Sequence, residues 1–143
     1  MNNSAAEISF RIAVFSKPGC PKCRTLHKRI DKLLQKPEWQ GFTKVSFDLG
    51  DIGGLVEFCK TECINPQRLP ALAVQAYDPQ LQEYRYIPHR LTEAEILTDS
   101  YQLYSFIGLQ TDYRAGGTIT PAMIENVLSR AQEQLMHQQE SAG

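Results

Sequence analysis

Four residues, Cys20-Pro21-Lys22-Cys23, constrain this chain more than any other stretch, because of what flanks them. Before them, Ile8, Phe10, Ile12 and Val14 alternate with Ser9, Arg11, Ala13 and Phe15. The far end of that run is apolar on both faces, as in a central strand covered on two sides. After them, Cys23, Leu26, Ile30, Leu33 and Leu34 recur at helical spacing until Pro37 ends the run. A cysteine pair therefore stands at the junction of a buried strand and an amphipathic helix. There the first sulfur faces the unpaired N–H groups and the positive end of the helix dipole, both of which favour a thiolate. With Lys22 adding positive charge, Cys20 is expected to titrate below the ordinary thiol value of about 8.5 and to be an exposed nucleophile. Cys23, one turn on and more enclosed, is placed to attack a mixed disulfide formed at Cys20. Pro21 suits the first helical turn and removes one N–H donor from the loop, which tunes the thiolate.

The rest of the chain extends this unit into a mixed sheet flanked by helices. Val45, Phe47 and Leu49 alternate as a second strand, and Gly50 to Gly54 leads into a helix. Its apolar stripe, Ile52, Leu55, Val56, Cys59 and Cys63, is expected to face the core, with both cysteines serving as small buried hydrophobes. Pro70 opens a third strand in which Leu72, Val74 and Ala76 share a face. Asp78-Pro79 turns the chain, and Glu83 to Ile87 reads as the hairpin partner. A last helix starts with Thr120 as N-cap and Pro121 at the first helical position, carrying Ile124, Val127, Leu128, Ala131 and Leu135. Between hairpin and last helix, Thr92 and Glu95 form a capping box and Gly108 a stop, so an inserted helix is predicted over 92–107. Residues 137–143 lack apolar periodicity and are predicted to fray as a polar tail.

At 143 residues the chain fits one domain, 1–143. A charged fraction of 22% and a net charge of -1 give no basic footprint for nucleic acid. No long uncharged apolar run marks a leader or membrane span, so a cytoplasmic protein with no membrane partner is expected. Four cysteines in a reducing compartment point to redox chemistry or metal binding rather than structural disulfides. Phosphate-binding loops, a Gly-x-Ser-x-Gly turn and a His-Glu-x-x-His helix are missing from the sequence, which removes the usual nucleotide and hydrolase machinery.

The segment Phe15-Ser16-Lys17-Pro18-Gly19-Cys20-Pro21-Lys22-Cys23 resembles the active-site turn of glutaredoxins, within the thioredoxin superfamily. Leu69-Pro70-Ala71-Leu72-Ala73-Val74 resembles that family's cis-proline strand. The resemblance covers about 8–87 and 116–136, leaving 88–115 as an insertion rich in aromatic residues, among them Tyr101, Tyr104, Phe106 and Tyr113. It implies a thioredoxin-like α/β fold, a cis Leu69-Pro70 bond, and a thiol-disulfide oxidoreductase acting on protein disulfides through Cys20 and Cys23 without a cofactor. It also implies that the backbone at Leu69 pairs with an extended substrate segment beside Pro70. Gly116 and Gly117 stand where family members carry glycine for substrate recognition. Glutathione and a thioredoxin-type reductase are the implied electron donors.

Two other readings stay open on the residues alone. Four thiolates, Cys20, Cys23, Cys59 and Cys63, could hold zinc or an iron-sulfur cluster. Alternatively the chain is a non-catalytic interaction module that uses its aromatic insertion as a binding face. His27 is read as a solvated helix residue, and Trp39 as closing the edge of the core.

Overall fold

The computed structural model describes residues 8–61, 64–90, 100–103, 105–113 and 116–142. Strand β1 (Phe10–Ser16) runs into helix α1 (Pro21–Leu33), and a short 3-10 turn (Pro37–Trp39) returns the chain to β2 (Phe42–Asp48). β2 lies parallel to β1, with Phe10 opposite Phe42 and Ser16 opposite Asp48. Helix α2 (Ile52–Cys59) follows, then β3 (Ala71–Asp78) antiparallel to β1, with Ile12 opposite Val74 and Phe15 opposite Ala71. The chain continues through β4 (Glu83–Tyr86) and β5 (Gly108–Gln110) into the long helix α3 (Pro121–Ala142). The sheet order β2-β1-β3-β4 is the thioredoxin-like arrangement that the resemblance implies.

Alternation along the strands divides the core in two. Ile12, Val14, Leu72 and Val74 face α1 and α3, where they pack with Leu26, Ile30, Ile124 and Leu128. Ala13, Phe15, Ala71 and Ala73 face the other way, toward Ile64, Leu69, Leu103 and Phe58. β1 is covered on both sides, as its two-faced apolar pattern requires. Helix α3 begins as expected: the Thr120 hydroxyl accepts the Met123 N–H at 3.2 Å, and Pro121 occupies the first turn. It also runs on to Ala142 instead of fraying after Leu135. Its last residues are Gln, Glu, Ser and Ala with no breaker before Gly143, so helix propensity carries the backbone onward.

The described part of the insertion differs from the expected helix. Residues 91–99 lie outside the described residues, and 100–103 and 105–107 are turns and isolated bridges. β4 and β5 both pair antiparallel with β3, β4 opposite 75–78 and β5 opposite 71–73. They are two halves of one strand from which the chain leaves after Ile87 and to which it returns at Ile107. Val74 receives both: the Ile87 N–H donates to its carbonyl at 3.1 Å, and its N–H donates to the Ile107 carbonyl at 2.9 Å. The Ile107 N–H closes the neck on the Ile87 carbonyl at 2.8 Å. The core therefore resumes near 107, earlier than the 116 read from sequence. Gly108, read as a helix stop, lies so close to the Leu72 carbonyl that a Cβ there would overlap it.

Helix α2 is also turned around relative to expectation. Ile52 is 84% exposed, Leu55 47% and Val56 55%, and Cys59 is exposed as a free thiol. Cys63 lies outside the described residues. The inward face is instead Gly54 and Phe58, the former pressed against the Asp48 main chain where a Cβ would collide, the latter edge-on to Phe15. Close backbone packing of strand on helix decides the rotation, and the apolar stripe is left pointing outward.

Candidate active site

Cys20 is the N-cap of α1, with φ -102° and ψ 108°, and Pro21 fills the first helical position. The cap bond comes from the cysteine itself: the Cys23 N–H donates to Cys20 Sγ at 3.2 Å. Pro21 has no N–H and the Arg24 N–H is taken by the Cys20 carbonyl at 3.2 Å, so the first turn's free donors are those of Lys22 and Cys23, and the sulfur receives the second. The two cysteines are joined in a disulfide, their Cα atoms 5.2 Å apart. Sequence reasoning expected an exposed Cys20; it is 6% exposed against 3% for Cys23. In the bonded state its sulfur is turned inward, onto Cys23 and the helix end. Cys20 keeps the greater access of the two.

The facing wall is the start of β3. The register of Phe15 with Ala71 brings Leu69-Pro70 to the same end of the sheet as the cysteine turn. The Leu69-Pro70 bond is cis, as the resemblance implies. Pro21, Lys22, Pro70 and Gly117 share the lining of a cleft of about 300 Å³ that runs on to Thr118 and Ile119. Thus Cys20, Cys23, Pro21, Lys22, Leu69, Pro70, Gly116 and Gly117, the eight residues singled out from sequence, converge on one end of the sheet. Lys22 is tied down at the surface: its Nζ donates to the Gly116 carbonyl at 3.1 Å and lies 5.9 Å from the centre of the Tyr113 ring. Gly116 and Gly117 take φ of +97° and +72°, and a Cβ at Gly117 would meet both the Lys22 ammonium and the Tyr113 ring at 3.1 Å. Only glycine fits that conformation in that space.

Sequence reasoning missed the residues that hold the wall. Thr111, fully buried, donates to the Pro70 carbonyl through both its N–H (3.1 Å) and its hydroxyl (3.0 Å). The Arg68 Nε donates to the Thr111 carbonyl at 2.7 Å and its Nη2 to the Ser100 carbonyl at 2.6 Å. The Tyr113 hydroxyl donates to the Leu69 carbonyl. Leu69 itself is 2% exposed, with its side chain in the core and its carbonyl covered by the Tyr113 hydroxyl. The only signal for Tyr113 was its membership in an aromatic-rich stretch.

The remaining candidates lie elsewhere. The turn before α2 passes Pro18 at Gly50, and the helix carries Cys59 seven residues on from its start at Ile52, about 10 Å down and exposed. Among the described residues, no three His, Cys, Asp or Glu side chains are grouped to hold an ion. His27 is half-buried rather than fully solvated; burial, then the Lys44 ammonium, hold its pKa below the ordinary value. His89 is likewise held low, chiefly by burial, with its Nε2 2.7 Å from the Leu103 carbonyl. No described helix is long and apolar enough to cross a membrane.

No protein-family model matches the chain, and no curated protein matches it at a significant level. Among solved structures, the crystal structure of a poxviral disulfide oxidoreductase, described as essential for cytoplasmic disulfide bond formation, aligns with it. That alignment covers 62% of this chain and 74% of the other at 15% identity, with a TM-score of 0.27. A likeness of that size has no bearing on function, and the fold assignment stands on strand order, register and loop geometry.

Proposed function

We propose that the chain is a thiol-disulfide oxidoreductase that reduces disulfides in protein substrates. The observation that carries this reading is the bonded Cys20-Cys23 pair, with Cys20 capping α1 and the two residues next to it, Pro21 and Lys22, lining a cleft together with Pro70. In the reduced form, the Cys20 thiolate attacks one substrate sulfur. A Cys20-substrate bond forms, and the second substrate sulfur leaves as a thiolate that takes a proton from solvent. Cys23 then gives up its proton and attacks Cys20 Sγ, which restores the intramolecular disulfide and releases the remaining substrate thiol. Two electrons pass to the substrate, and an external thiol donor, glutathione or a thioredoxin-type reductase, returns them. Cys20 is assigned the attack because it caps the helix, receives a main-chain N–H and keeps more access than Cys23.

In this reading Pro21 and Lys22 tune the pair, and the Leu69 main chain with Pro70, Gly116 and Gly117 bounds the groove for an extended substrate segment. A reducing, cytoplasmic setting is in keeping with the free, exposed Cys59. Insulin reduction with dithiothreitol as donor tests the assignment. Cys20→Ser is expected to abolish turnover, and Cys23→Ser to accumulate a mixed disulfide. Turnover by Cys20→Ser at the parent rate would refute the nucleophile.

A further inference from the structure

We propose that Tyr113 gates the substrate groove by occupying, in the free protein, the main-chain acceptor that an incoming segment needs. This rests on the oxidoreductase reading above, in which an extended segment docks along the Leu69 main chain. A residue whose side chain is buried offers a docking strand only its N–H and its carbonyl, and the Leu69 carbonyl already accepts the Tyr113 hydroxyl. The Pro70 carbonyl is no substitute, since Thr111 fills it twice. A substrate amide can therefore reach the Leu69 oxygen only after the tyrosine hydroxyl leaves.

Tyr113 is built to leave. The residue is 46% exposed, unlike Thr111, which is fully buried. Its hydroxyl is tethered to Leu69, 44 residues away in sequence, and one ring edge faces Gly117. Its ring also lies under the Lys22 ammonium, so its position is sensed between the two cysteines as well as at the proline wall. A small disulfide that reaches Cys20 without pairing along Leu69 has no need to displace the hydroxyl. The gate therefore discriminates against protein segments relative to small disulfides, and only a segment that replaces the lost bond passes.

Tyr113→Phe keeps the ring and removes the hydroxyl, freeing the Leu69 acceptor. The test compares kcat/KM for insulin with kcat/KM for bis(2-hydroxyethyl) disulfide, dithiothreitol being the donor and the uncatalysed rate subtracted. The insulin-to-small-disulfide ratio is expected to rise about two- to twelvefold over the parent, the range of one net hydrogen bond, through a lower KM for insulin. Tyr113→Leu, which also lacks the hydroxyl, should raise the ratio too, so a fault specific to either variant does not decide the matter. An unchanged or lower ratio in both variants overturns the gate while the oxidoreductase reading stands. A parent protein that turns over neither disulfide overturns both.

Discussion

The rotation of α2 can be tested at two adjacent glycines. A Cβ on Gly53 would meet nothing within 4 Å, whereas one on Gly54 would collide with the carbonyl, carbonyl carbon and amide of Asp48. Replacing glycine by alanine in a helix restricts the unfolded chain and stabilises by about 0.4–1 kcal/mol where the site can accept it. Gly53→Ala should show that gain. Gly54→Ala has the same gain but must also push helix from strand, an overpacking cost of about 1–3 kcal/mol in a rigid main-chain setting. The two variants should therefore differ by about 1–3 kcal/mol, with Gly54→Ala the less stable. For a chain of this size that is a separation of roughly 3–12 °C in melting temperature. Urea unfolding read by far-ultraviolet circular dichroism measures both against the parent at one slope. If Gly54→Ala proves as stable as Gly53→Ala, α2 does not rest on β2 through Gly54, and the outward face of Ile52, Leu55 and Val56 is wrong.

Two further outcomes are expected. Thr111→Val keeps the shape but removes the buried hydroxyl from the Pro70 carbonyl, which retains the Thr111 N–H; urea unfolding should show a loss of about 1 kcal/mol, and a change below about 0.3 would deny that bond a role. His27 and His89 are both held below their ordinary pKa, so the unfolded chain binds protons more readily than the folded one. Their contribution to stability is complete above about pH 6.5 and declines as pH falls toward the lower folded values. The melting temperature should drop between pH 7.5 and 5.5, and the drop should shrink in the double variant His27→Gln, His89→Gln; an equal drop would assign it to other groups.

What could be read from sequence was local. The alternation of β1, the cap at Cys20, the proline that opens β3 and the Thr120-Pro121 start of α3 are each settled by a few neighbouring residues. What could not be read depends on distant partners. An eight-residue helix with apolar residues at 52, 55, 56 and 59 gives no sign of which way it faces until Gly54 meets Asp48. Likewise Gly108 ends a helix or starts a strand according to whether another backbone lies against it, and here the Leu72 carbonyl does. Six of the eight candidate site residues are cysteines, prolines and paired glycines, which carry their chemistry visibly, and Lys22 and Leu69 are their sequence neighbours. Thr111, Arg68 and Tyr113 were not found, because each acts on a main-chain carbonyl that its own sequence neighbourhood does not reveal.

That dependence makes the return of the chain after strand four part of the candidate site. The strand leaves the sheet after Ile87 and must rejoin it with Gln110 opposite Ala71. A return one residue out of register would reverse the faces of β5 and carry Thr111 and Tyr113 away from Pro70 and Leu69. Three contacts hold the return in place: Gly108, where only hydrogen fits beside Leu72; the Gln110 side chain, which accepts the Asn65 N–H at 3.1 Å; and Arg68, which reaches Ser100 and Thr111 at once. Asn65 and Arg68 belong to the segment that leads into the proline wall, so the residues before Pro70 fix the strand that in turn fixes Pro70. The wall and the returning strand therefore brace each other, and the stretch after β5 is tied to the cysteine turn through Tyr113 and Lys22.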